Sequence, residues 1–293
     1  MNGLIVMQGE TYEEERKQAI LQTAIFDKAG ARNFSWEYMN DLVPGDVVLH
    51  YVKGQIRALS VVEEMAHIVT DERGQKKYRA RVAYMDLERP LTIAPLFEAI
   101  RPLLPDKYAP FQQDGSGNSG YLFPVHVELM LYFIEQLCRV VEEQLIQPTL
   151  LEETSTLTVS LLGKLRDWQR QFLAQQQQEL AERRDRIVSE EATCAICSLS
   201  FEPLLDVPYM KAPEKCTHEE RIDPHNAIVL CHNHHALFAQ GLLSMTDQGQ
   251  LLVSARLIDD QYTLGLYEGQ PLAIVKAQKK YVKWHRNEVF QPL

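Results

Sequence analysis

The sequence predicts an α+β protein with a strand-rich domain over 1–148, a helical connector over 149–190 and a cysteine- and histidine-rich domain over 191–293. Three observations predict it. Alternating apolar runs such as DVVLHYVKG and QIRALSVVEEM crowd the first ninety residues. From His126 the spacing turns helical and, past Pro148, stays so toward residue 190. Four of the five cysteines fall within 194–231, and five of the nine histidines within 218–235. A length of 293 residues suits two domains of about 100–200 residues each.

The elements follow in order. Residues 4–7 (LIVM) read as a short strand. ETYEEERKQAILQTAIF reads as a helix, with Ala19, Ile20, Leu21, Ala24 and Ile25 apolar. DVVLHYVKG and QIRALSVVEEM read as strands around a turn at Lys53, Gly54 and Gln55, and KKYRARVAYMDL as a third strand after the DERGQ turn. Pro90, Pro95, Pro102 and Pro105 punctuate the next stretch. QQDGSGNSGYLFPV reads as a loop leading into a strand. It lacks the Lys-Ser/Thr ending of a phosphate loop, so it is expected to be flexible or to contact DNA. Together these imply a barrel or curved sheet. His126–Ile146 is helical and Pro148 ends it. In the connector, Leu161, Leu165, Trp168 and Phe172 share one helix face. That face reads as packing on one domain, with a dimerisation helix as the alternative.

Composition narrows the function classes. The chain is 45% hydrophobic and 24% charged, as folded domains are. No apolar run approaches the roughly 18 residues of a membrane span. The N-terminus lacks the basic start and apolar core of a secretory signal, so a cytoplasmic protein without a membrane partner is expected. The net charge is −10 and no region is basic overall. That removes a bulk-charge mode of nucleic-acid binding and leaves a local basic face, or a metal ion that meets phosphate. An odd number of cysteines argues against a disulfide framework.

The clustered cysteines have metal-ligand spacing. Cys194 and Cys197 form C-x2-C; after 33 residues Cys231 and His234 form C-x2-H. Two such knuckles supply the four ligands of a tetrahedral structural zinc. Cys216 reads as a free thiol, His218 and His225 as loop histidines, and His232 is unassigned.

The opening C-x2-C, EERIDPHNAIVLC, HNHHALF and GLLSMTDQGQLLVS resemble the HNH nucleases over about 194–254. KWHRNEVF at 283–290 is similar to the ending of many HNH restriction enzymes. The resemblance implies a ββα-metal domain with a structural zinc. It implies that His235 binds a catalytic divalent ion, Mg2+ or Mn2+, and that Asn226 fixes the loop presenting the general base. The family's first histidine is expected in a segment like LLEAAHI. Here the segment is LLDVPYM, with Tyr209 at the base position. An unperturbed phenol has a pKa of about 10 and is a poor base at neutral pH. Three accounts stay open: Tyr209 replaces the histidine, His218 or His225 substitutes, or the nuclease is weakened or inactive. Asp206 is a weak metal-ligand candidate, because in a strand it faces away from Tyr209.

The N-terminal half resembles the EVE domains of the PUA-like superfamily over roughly 1–130. The carriers are Phe34 and Trp36, the Pro44-Gly45-Asp46 turn, the strand pair around Tyr51, and Gly117–Val125. The resemblance implies a β-barrel domain that binds an extruded modified base in an aromatic pocket. Trp36 is the first pocket candidate, followed by Ser35, Tyr51 and Tyr121, with core packing as the alternative for each ring. The whole then resembles modification-dependent restriction endonucleases acting on foreign DNA, with a homodimer expected for double-strand cuts. The alternative is a degenerate HNH protein that binds modified DNA or RNA without cutting.

Overall fold

A computed structural model describes residues 1–26, 30–72, 74–146, 152–188 and 192–293, without the side chains of 146, 152–157 and 218. Pro148 and the expected domain limits near 148–151 and 189–191 lie outside these residues. The chain forms two compact units, Met1–Gln176 and Gln177–Leu293. Among the described residues, no helix is long and apolar enough to cross a membrane.

The first unit holds β1 (Gly3–Met7), α1 (Tyr12–Gln18), β2 (Ile20–Ala24), α2 (Phe34–Glu37), β3 (Val47–Val52) and β4 (Gln55–Thr70). It continues with β5 (Lys76–Thr92), α3 (Phe97–Ile100), β6 (Leu122–Val125), α4 (Val127–Ile146) and most of α5 (Glu152–Ile187). Six strands make one mixed sheet in the order β2-β5-β4-β3-β1-β6, with β1 parallel to β3 and the other pairs antiparallel. Lys53 and Gly54 both take positive φ, the two-residue turn that matches strand twist.

Alternation along the strands sorts the core. Ile5, Val47 and Leu49 face one side, where Phe133, Ile134 and Leu137 of α4 and Leu165, Trp168 and Phe172 of α5 cover them. Leu4, Val6 and Val48 face the other side with Leu21, Met39, Tyr78, Val82 and Tyr121. The apolar face of α5 is therefore filled within the first unit, which removes it as a dimer contact.

One expectation needs correction. The helix over residues 10–26 ends at Gln18. Ala19 takes a left-handed conformation (φ 55°), and Ile20–Ala24 pairs with β5 as a strand. The tertiary ladder overrides the local pattern there, burying Ile20, Leu21 and Thr23. The barrel closes only part-way: β2 and β6 form the two edges of the sheet. Tyr121 bridges them, since its hydroxyl accepts from Gln22 N of β2 at 2.7 Å and donates to Glu15. Pro90 falls within β5, where the register jumps between Asp86 and Leu91 and no ladder donor is needed.

A polar chain crosses the interior of this sheet. Gln8 donates to Glu15 at 2.7 Å, and its carbonyl meets His50 Nδ1 at 2.7 Å. His50 Nε2 meets Ser60 Oγ at 2.8 Å. Burial pushes the His50 imidazole down to about 3, so it is neutral and each ring nitrogen has a partner. Burial also raises the Glu15 carboxyl, against the hydrogen bonds that favour its anion.

The lowered His50 value has a definite sign. A histidine that titrates lower in the folded state stabilises above its unfolded pKa of about 6.5, and that stability is lost as pH falls toward the folded value, at up to about 1.4 kcal/mol per pH unit. Between pH 6.5 and 5, the protection factors of β3 and β4 amides, with the intrinsic slowing of exchange in acid divided out, are expected to fall in the wild type and to change less in His50→Gln. Parallel profiles would show that His50 does not set this dependence.

Candidate metal centre and cleft

The second unit builds its site from short pieces: β7 (Leu205–Asp206), α6 (His218–Ile222), β8 (Leu230–Cys231), α7 (His232–Ala239), β9 (Leu243–Met245), β10 (Leu251–Val253) and α8 (Lys279–Glu288). β7 pairs antiparallel with β8, and β9 with β10. The turn after Cys194 brings Cys197 back, with Ser198 N donating to Cys194 O. Cys231 ends β8 and serves as N-cap of α7.

Cys194, Cys197, Cys231 and His234 converge, with their ligand atoms all within 4.8 Å of one another. His234 Nδ1 lies 3.3 Å from both Cys194 Sγ and Cys231 Sγ, and Cys197 Sγ lies 3.9 Å from Cys231 Sγ. Tetrahedral zinc with Zn–S of about 2.3 Å and Zn–N of about 2.05 Å needs edges of about 3.6–3.8 Å. The donor set and spacing are compatible with structural zinc. The second shell fits too: His234 Nε2 meets Leu264 O at 2.9 Å, which leaves Nδ1 for the ion. Burial pushes the Cys194 thiol up, but His234 and the backbone N–H groups of Cys197, Cys231 and Ile196 outweigh it and hold the thiol at about 6.

His235 follows directly on α7 and turns the other way. Its Nδ1 lies 2.9 Å from Asp206 Oδ2, and His232 Nε2 lies 3.4 Å from the same oxygen. Asp206 and His235 are each about one-third exposed (34% and 37%), so solvent reaches both. They line a cleft of about 610 Å³ together with Tyr209, Arg183, Arg184 and Trp284. Asp206 and Tyr209 do not face opposite sides, because β7 stops at Asp206 and Pro208 interrupts the strand. Trp284 is half-buried and lines the cleft, which its helical spacing did not reveal.

Asn226 is wholly buried and ties the loop after Tyr209 together. Its Oδ1 accepts from Lys211 N at 2.8 Å; its Nδ2 donates to Lys211 O at 3.1 Å, Cys216 Sγ at 3.2 Å and Glu220 O at 3.3 Å. Cys216 is a buried free thiol, pushed up to about 12 by burial. His225 is exposed, and its backbone N–H donates to Asp223. The His218 side chain lies outside the described residues.

Tyr209 is half-buried beneath the Arg183 guanidinium, 3.6 Å from the ring centroid. Burial raises its phenol above the ordinary value and the Arg183 charge only partly opposes this. At neutral pH Tyr209 is a proton donor. The last segment docks beside the metal helix. His285 is buried and stacks on Phe238 at 3.7 Å, and its ring nitrogens meet Ser244 Oγ and Phe238 O. A Cβ on Gly241 (φ 72°) would lie 2.1 Å from Val289 O, so only glycine fits that crossing.

The pocket candidates of the first unit lie in different settings. Trp36 is half-buried on the Leu4–Val6–Val48 face. Ser35 is buried, with Oγ donating to Asn33 Oδ1 at 2.7 Å and accepting from Tyr121 N at 3.1 Å. Tyr121 is in the core. Tyr51 packs on Phe111 and its hydroxyl accepts from Gly117 N at 3.1 Å. The Gly/Ser loop thus closes on Tyr51, with Phe111 bridging Gly117. The structure also pairs Phe34 with the exposed Tyr108, ring centroids 4.3 Å apart. The sequence singled out Phe34 for its spacing from Trp36, but nothing in it marks Tyr108.

Residues 194–246 match the family described as HNH endonuclease, a stretch well short of half the chain. No curated protein matches the chain in sequence. Among solved structures, the chain is similar to Rpa0253 from Rhodopseudomonas palustris, with 16% identity over 44% of this chain and 87% of that one and a TM-score of 0.31. It is similar to the YTH domain of the Zygosaccharomyces rouxii MRB1 protein in complex with N6-methyladenosine RNA, with 9% identity over 46% and 86% and a TM-score of 0.30. A third likeness is to the YTH domain-containing protein mmi1 in an RNA complex, with 8% identity over 50% and 88% and a TM-score of 0.34.

A structural metal adds its binding energy to folding. Cys231→Ser is expected to lose bound zinc and to expose the amides of 194–246 to hydrogen exchange, while β3 and β4 keep their protection. Unchanged protection at 194–246 in the zinc-free variant would show that the cluster does not hold this unit together.

Proposed function

We propose that the second unit is a metal-dependent phosphodiesterase of the HNH type and that the first reads a modified base, making the chain a modification-dependent DNA endonuclease. The observation that carries this reading is the Asp206–His235 pair, an oxygen and a nitrogen donor 2.9 Å apart in an open cleft. That donor set fits Mg2+ or Mn2+. When bound, such an ion would acidify a water and neutralise charge on the phosphate. Asp206 and His235 would hold it, with His232 close to the same carboxylate. Asn226 would act indirectly, by fixing the loop from Lys211 to Glu220. Tyr209, protonated, can donate to a phosphate oxygen but cannot take a proton from water. In the first unit, Trp36 is the half-buried ring set to stack on a flipped base, with Phe34 and Tyr108 exposed on the surface. One cleft cuts one strand, so a double-strand break calls for two chains.

A second reading has its own support. The Tyr209 ring is locked under Arg183 and stays protonated, which fits a degenerate site that binds modified DNA or RNA without cutting.

Purified protein with Mg2+ or Mn2+ on modified phage DNA and an unmodified control tests both. Cleavage is expected on modified DNA alone, with a loss of at least about 100-fold in His235→Ala and in Asp206→Asn. Tyr209→His, which restores an imidazole, is expected to raise the rate by about 10²-fold or more. Tight binding of modified DNA with no cleavage, even in Tyr209→His, would favour the second reading. Equal treatment of both DNAs would remove the modified-base reader.

A further inference from the structure

We propose that Arg183, from helix α5, is a positioning residue of the cleft that holds the Val207–Tyr209 segment and the Asn226 loop in register. It deepens the phosphodiesterase reading and rests on it. Arg183 lies outside the matched 194–246 segment, in an AERRDR run whose composition reads as a solvated helix face. Its residue is nevertheless only 7% exposed. One guanidinium serves three partners: it donates to Val207 O, donates to Asn226 O at 2.8 Å, and lies over the Tyr209 ring at 3.6 Å.

The need for such a residue comes from Pro208. The ladder between β7 and β8 covers only Leu205–Cys231 and Asp206–Leu230. Beyond it the two segments meet through the Tyr209–Ala227 bridge and a long Ile228 N to Pro208 O contact of 3.4 Å. Proline has no N–H to give, so the pairing is thin where the segment passes the cleft. Arg183 supplies donors to one carbonyl on each segment and so joins them. Its neighbour Arg184 does the same on the other side of Asp206, donating to Glu202 O at 3.0 Å and Leu205 O at 3.4 Å. Consecutive arginines thus grip the backbone on both sides of the carboxylate that meets His235. A lysine cannot reproduce this, because a single ammonium lacks the planar fork that reaches two carbonyls while covering a ring.

The test uses the full chain with Arg183→Lys and Arg183→Met. The readouts are kcat and KM on modified DNA, zinc content, and hydrogen exchange at 205–211 and 226–228. Both variants are expected to lose about tenfold or more in kcat with KM within about twofold, as misplacement of a site predicts. Zinc should be retained, and exchange should speed up in those two segments alone. Arg183→Lys keeps the charge and the aliphatic stem, and it decides the matter if Arg183→Met loses zinc. A rise in KM with a changed salt dependence and an unchanged kcat would make Arg183 a DNA contact and overturn the proposal. So would wild-type kinetics with unchanged exchange. If the wild type itself does not cut, the phosphodiesterase reading fails separately. Exchange then decides: local loosening upholds the positioning role, and unchanged exchange overturns it.

Discussion

Helix α7 begins at a cysteine of the Cys3His cluster, and the directions of two neighbouring histidines follow from that start. Successive residues of a helix point about 100° apart. His234 therefore turns to Cys194 and Cys231 while His235 turns to Asp206. The cluster that fixes the first direction fixes the second. β7 and β8 are two residues each, and the apolar core of this unit has Cys194 and Cys231 among its members.

How much of this was legible in the sequence follows from how local each feature is. The four cluster ligands were readable because two knuckles are local spacings, each closing within one turn of chain. His235 and Asn226 were singled out by the resemblance to HNH nucleases, from their positions relative to Cys231. Asp206 was undervalued, because strand alternation was applied past Pro208, where the strand has already ended. Arg183 was not readable at all. Glu182, Asp185 and Arg186 around it are charged and exposed, and only the fold shows that Arg183 is buried against Tyr209. In the first unit the strands β3, β4 and β5 were plain from their alternation and turn. The strand β2 was missed because ILQTA follows a true helix and carries no breaker; Ala19, not a glycine, takes the left-handed turn.

The first unit shows the same division between local pattern and long-range partner. Its apolar faces follow from period-two alternation. The polar chain from Glu15 through Gln8 and His50 to Ser60 does not, since its members come from α1, the residue after β1, β3 and β4. Tyr121 ends that chain and also ties the two sheet edges from within the core, while Trp36 is half-buried.

The central proposal is that one helix start serves two metal sites, the Cys3His cluster and an open Asp206–His235 site. Electron paramagnetic resonance of Mn2+ added to the zinc-loaded chain tests it most directly. The account predicts one bound Mn2+ per chain in the wild type and none in Asp206→Ala, with zinc content equal in the two. A manganese site that survives the loss of Asp206, or no manganese site in the wild type, would contradict it.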